Sequence, residues 1–175
     1  MMPDVGGLTP AGDVDGAAMY IDSMLKRIND AERPAGWAEE KLIVATLEDE
    51  EELFTGICTL IFLYLTWWRK GFEAAGKDVV AEIVPSVTGT LRQMTRVEPE
   101  AIPTMAAMMT AAAMGISPDR WRLRNGGWRP EDITAVQATA LTLAHEINTV
   151  SDDPDAALRL IIDLIADVED NREEP

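Results

Sequence analysis

From Asp13 onward, apolar residues in this chain recur at steps of three and four and almost nowhere at steps of two. Steps of three and four place side chains on one face of a helix, whereas a half-buried strand needs strict alternation. Only Arg120–Arg124 alternates. The pattern predicts an all-α fold: a bundle of about six to eight helices, mostly antiparallel, with short connections. One short, irregular, Arg/Trp-rich segment near residues 117–130 interrupts it.

The punctuation divides the chain further. A first helix is expected over about 15–31, with Met19, Tyr20, Met24, Leu25 and Ile28 on one face and Arg33-Pro34 as its stop. A second segment covers 37–47. The acidic run Glu48–Glu52 then either opens a new helix, where carboxylates suit the positive end of the dipole, or is crossed by one helix reaching about Ala75. Gly76 fits a C-terminal cap. Another helix follows over 78–95, with Pro85 and Gly89 marking a kink or break. Residues 99–114 form the next, ending at Gly115, and Ser117-Pro118-Asp119 has the look of a further start. Pro130-Glu131-Asp132 opens a helix to about Val150 with the cleanest apolar stripe, and Asp153-Pro154-Asp155 opens the last, to about Asp170. Leu160 and Ile162 broaden that last helix's face. The expected organisation is a flexible lead-in over 1–12, one helical domain over 13–170 and an acidic tail over 171–175. A length of 175 residues suits a single core.

Composition excludes several classes. Hydrophobic residues at 47% and charged residues at 26% rule out whole-chain disorder. A single cysteine, Cys58, excludes an internal disulfide framework, and a single histidine, His145, excludes any site needing two imidazoles. The net charge of −16 argues against binding duplex nucleic acid. That charge is uneven: residues 131–175 carry −10 (12 acids against Arg159 and Arg172), whereas residues 99–130 carry +2 (four arginines against two acids). No basic leader with a short apolar core opens the chain, so a cytoplasmic location is expected. The longest apolar run, Leu53 to Trp68, would make a helix of roughly 24 Å, short of a bilayer core of roughly 30 Å. It reads as a buried core helix, although Trp67 and Trp68 have the look of an interfacial belt.

Two clusters could carry chemistry. Glu48, Glu51 and Glu52 are neighbours on one helix face and could hold Mg²⁺ through oxygen ligands. The spacing Glu48-Asp49-x-x-Glu52 resembles the first metal motif of the all-α nucleotide pyrophosphohydrolases. That family's second motif, Glu-x-x-Asp, is absent here. Asp78 and Glu82, in reversed order and four apart, are what the chain offers in its place. The competing reading is a solvated helix start. The second cluster is Arg120, Trp121, Arg122, Arg124, Trp128 and Arg129. Guanidinium groups and indole faces suit a phosphate, a carboxylate or a stacked base, and as a partner an acidic or aromatic surface. The favoured reading is internal, with arginines pairing to acids on the first or last helices and tryptophans plugging the core. Asn125-Gly126 suggests either a tight turn between two extended arms or a helical turn from Ser117 followed by a glycine loop.

The remaining features are weaker. His145 has no nucleophile at a recognisable spacing, and Cys58 inside the apolar run should be a buried, inert thiol. Met105, Met108, Met109 and Met114 in an alanine-rich helix suggest a central bundle helix or the wall of an apolar cavity. The leading expectation is thus a non-enzymatic acidic bundle that acts through protein–protein interaction or self-association, with a homodimer or a protein partner and no cofactor. The alternatives are a Mg²⁺-dependent hydrolase of nucleotides or other phosphate compounds, and a small-molecule sensor.

Overall fold

A computed structural model of the protein describes residues 12–29 and 50–173. Among these, seven α-helices and one 3-10 turn form the fold, with no strand: α1 (Val14–Asn29), α2 (Glu50–Ala74), α3 (Val79–Gln93), the turn Pro99–Ala101, α4 (Ile102–Ala113), α5 (Pro118–Arg124), α6 (Pro130–Val150) and α7 (Ala156–Glu173). The all-α bundle is as expected. The segment over 37–47 lies outside the described residues, as does nearly all of the lead-in.

α2 is the axis of the molecule and packs against all six other helices. Ile57, Leu60, Ile61, Tyr64 and Leu65 are completely enclosed, and Leu53, Cys58 and Trp68 are buried beside them. A helix apolar on nearly every side must be covered on nearly every side. That demand explains the run that looked long enough to approach a bilayer. No helix among the described residues is long and apolar enough to cross a membrane.

Helix ends follow their local chemistry. Asp13 caps α1, its Oδ1 accepting from Gly16 N at 2.8 Å. Asp78 caps α3, accepting from Val80 N at 3.0 Å. α2, α4, α5 and α6 all stop in the same way: a left-handed residue (Gly76, Gly115, Gly126 and Asp152) lets the next amide reach back to a carbonyl five residues earlier. Three of those four positions hold glycine, which accepts a positive φ without penalty, and the fourth is an aspartate at φ 50°. Pro85 does not break α3: it sits on the solvent side of a helix continuous from Val79 to Gln93. α7 runs on to Glu173, into the stretch expected as a tail.

The first two helices run parallel, unlike the antiparallel pairs expected for most of the bundle. Asp13 N donates to Glu52 O at 3.0 Å, and one turn further along each helix Ala17 lies against Gly56. α3 and α6 are antiparallel: Ser86 donates to Glu146 at 2.8 Å at one end, while Gln93–Val97 meet Thr134 and Ala138 at the other. α6 starts beside the first turns of α2, where Phe54 packs edge-on to Trp128 at 5.4 Å. Asn148 of α6 clamps the entry to α7, donating to Pro154 O at 2.9 Å and accepting from Ala157 N at 2.8 Å. Lys26 of α1 then reaches Asp155 at 3.2 Å.

The α1/α2 contact depends on missing side chains. A methyl group on Gly56 would collide with the carbonyl oxygen of Asp13 and press on Ala17, and one on Gly12 would come within 2.6–2.8 Å of the α2 backbone and Thr55. Gly56→Ala should therefore destabilise the protein by about 1–3 kcal/mol, because the clash is with backbone that cannot swing away. Gly71→Ala, on the same helix with nothing within 4 Å of its added methyl, should instead stabilise by about 0.5–1 kcal/mol. Urea unfolding of the two variants checks both signs at once.

Candidate functional site

Of the two clusters, the structure gathers the Arg/Trp one into a built element. Ser117 caps α5 through Arg120 N, with Pro118 buried in its first turn. The helix lasts seven residues, after which Gly126 and Gly127 both adopt positive φ. The segment is thus a helical turn with a glycine exit, not a hairpin. Asn125 ties the exit down by donating from Nδ2 to Trp121 O at 2.7 Å.

Arg122 turns inward. It is 6% exposed and donates from NH2 to Asp132 Oδ2 at 2.8 Å and from NH1 to Asn125 O at 3.0 Å. Its guanidinium carbon lies 5.8 Å from the Trp121 ring centroid and 5.9 Å from that of Trp128, within the range of cation–π attraction. Asp132, 1% exposed, serves two masters: the same Oδ2 accepts from Arg129 N at 2.9 Å and so closes the N-terminus of α6. Trp128 Nε1 donates to Asp119 at 3.1 Å, and its ring plugs against Phe54 of α2. One buried ion pair therefore joins α5, the glycine loop and the start of α6, and Trp128 seats them against the axis helix at Phe54.

The six candidates separate accordingly. Arg122 is buried and paired, but its acid, Asp132, lies on α6 rather than on the first or last helix, and Trp121 and Trp128 are both half-buried against the core. Arg120, Arg124 and Arg129 are exposed and leave a cationic outer surface. Sequence reasoning missed Leu123, which at 79% is the most exposed large apolar residue among those described. It also missed Asp119 and Asp132 as partners of the island. Asp132 was visible as a helix-start acid, but a ten-residue separation from Arg122 matches no helical repeat and gives no pairing signal.

The metal-site candidates do not come together. Glu51 and Glu52 are exposed at the first turn of α2, and Glu48 lies outside the described residues. Asp78 follows the far end of that helix. Glu52 and Ala74 are separated by roughly 33 Å of continuous helix, at 1.5 Å per residue. Asp78 is committed to capping and Glu82 is exposed one turn further on. They cannot share an ion with Glu51 and Glu52, and no group of three potential ligands converges among the described residues.

The other candidates sit elsewhere. Met105, Met108 and Met109 are fully buried and fill the interior between α4 and its neighbours, while Met114 is exposed. A cavity of about 230 Å³ opens between the end of α3 and α6, lined by Gln93, Met94, Arg96, Val97, Thr134 and Ala138. It is smaller than the usual ligand pocket and none of those methionines lines it. His145 is exposed on α6. Cys58 is buried, and loss of solvent pushes its thiol far above the usual range, with the charge of Asp119 adding to the effect.

Comparison of the chain with protein-family models, with curated proteins and with solved structures found no match.

Breaking the Arg122–Asp132 pair from either side should cost about 3–5 kcal/mol, because each single change strands a buried charge. Arg122→Met with Asp132→Leu should lose clearly less than the sum of the two single changes, as a double-mutant cycle in urea would measure. Cys58 should resist a disulfide reagent such as dithionitrobenzoate in the native protein and react at once when the chain is unfolded. Rapid labelling without denaturant would contradict its burial.

Proposed function

We propose that this chain works without catalysis, as a protein-interaction module whose recognition face is the outer side of α5 and the loop behind it. The observation that carries this reading is Leu123. It stands 79% exposed between Arg120 and Arg124, on a helix held to the core by a buried ion pair. Residues three and four apart share a helix face, so Arg120, Leu123 and Arg124 form one surface.

At 79% exposure Leu123 gains little from burial within its own chain. An apolar residue rimmed by arginines on a rigid support has the make-up of a protein contact, where arginine is enriched and a central apolar group is desolvated. The surrounding charge supports the same view. In a chain of −16 these arginines form a local cationic exception, which an acidic surface would find by electrostatic steering. A partner of acidic and apolar character follows, either a different protein or another copy. The lone, buried, unreactive thiol suits a reducing cytoplasmic setting.

A benzophenone amino acid placed at position 123 tests the reading in cells that make the protein. A discrete photo-adduct should form there and not from position 77, which is exposed at the opposite end of α2. Arg120→Glu with Arg124→Glu should reduce the adduct several-fold. An adduct no stronger than that from position 77, or one indifferent to charge reversal, would overturn the proposal.

A further inference from the structure

The α5 face calls for a surface with two acids one helical turn apart and an apolar strip beside them. The chain carries such a surface on α7. Asp163 and Asp167 are exposed and one turn apart, and Ile162, 54% exposed, and Ala166 repeat at the same interval alongside. Both α5 and α7 leave these faces in solvent within a single chain. The inward side of α7 is already used, with Ala157 and Ile161 buried and Leu158, Leu164 and Ile165 packed against the core.

We infer that the occupant of the α5 face is the outer face of α7 in a second copy of this chain, a step that rests on the reading of α5 as a recognition surface. Arg120 and Arg124 share the four-residue repeat of Asp163 and Asp167. Two helices laid side by side therefore form both ion pairs in register, with Leu123 against Ile162 and Ala166 between them. Arginine can meet each carboxylate through paired N–H groups, and covering the apolar strip removes water from around the pairs.

Charge argues for this pairing over the alternatives within the chain. Two copies at −16 repel, and two α5 faces would set arginine against arginine. An α5 face on an α7 face brings opposite charges together, and α7 adds the exposed Ile162 and Ala166 beside its two acids. Because the two faces differ, the contact is head-to-tail. It closes as a dimer when both copies make it at once, and it otherwise adds copies in a row.

Salt alone does not discriminate here, because it screens the ion pairs and the overall repulsion together. A charge swap does. Light scattering coupled to size exclusion, run on the full chain over rising micromolar concentrations, should give a mass climbing from 19.2 kDa towards that of a dimer or beyond. Arg120→Glu/Arg124→Glu alone should stay monomeric, since glutamates would face Asp163 and Asp167. Asp163→Lys/Asp167→Lys alone should also stay monomeric, since arginines would face lysines. An equimolar mixture should associate again, because each foreign face then meets its opposite. Circular dichroism melts confirm that both variants fold, and Leu123→Asp in the otherwise native chain should abolish association by a separate route.

A native chain that remains at 19.2 kDa at the highest concentration overturns the inference. So does association that survives either charge reversal, or a mixture of two folded variants that stays monomeric. In each case a position-123 adduct to a different protein would leave α5 as the recognition face and remove only the second copy as its occupant.

Discussion

The structure depends on the burial of one helix from all sides. α2 exposes apolar groups around nearly its whole circumference, so no single partner can satisfy it, and every other helix is placed by the need to cover some part of it. α1 lies against its first half because Gly12 and Gly56 let backbone meet backbone there. α4, with fully buried Met105, Met108 and Met109 and small alanines between them, fits closely, since flexible thioethers fill what the alanines leave open. The last side to be closed is the beginning of α2 at Phe54, and the piece that closes it is the Arg/Trp segment.

Covering that end raises a difficulty that the ion pair resolves. A seven-residue helix is too short to be stable alone, and its exit runs through two glycines that resist ordering. Arg122 supplies contacts in three directions: to the loop at Asn125, to α6 at Asp132 and to the indoles on either side. Burying a charge is unfavourable unless it is paired and hydrogen-bonded, and here the same acid that pairs it also closes the start of α6. The pair ties three short pieces together through Asn125, Asp132 and the backbone of Arg129. A purely apolar plug could cover Phe54 equally well and would not define where Leu123 points.

Helix identity was legible in the sequence because it is a local property. The spacing of apolar residues placed six of the seven described helices, and Gly76 and Gly115 were read correctly as stops because a left-handed residue at a helix end has little alternative to glycine. The direction of packing was not legible. The parallel run of α1 and α2 follows from a close approach of Gly12 and Asp13 to Gly56, more than forty residues away, and nothing periodic links such positions. The same limit separated the two site readings. Glu51, Glu52, Asp78 and Glu82 looked combinable on paper, but whether acids converge depends on how long the intervening helix runs, and a helix unbroken to Ala74 holds them at opposite ends. The arginine cluster survived because its members are close in sequence and one short helix carries most of them. What the sequence could not say was which arginine turns inward, since that is decided by Asp132 on another helix.

The division of that cluster also bears on why a strongly acidic protein keeps it. Acidic surface holds copies apart and keeps the chain dissolved, and a neutral or mixed surface on α5 would be a passive part of that shell. Arg122 alone would suffice to fasten the segment. Arg120, Arg124 and Arg129 are exposed, and Leu123 between the first two is left in water. The proposed recognition face rests on this exposed leucine between two exposed arginines, carried by a helix whose orientation a buried ion pair helps to fix. The uneven charge of the chain, +2 over residues 99–130 and −10 over residues 131–175, fits the contact proposed between α5 and α7, since unlike faces attract and like ones repel.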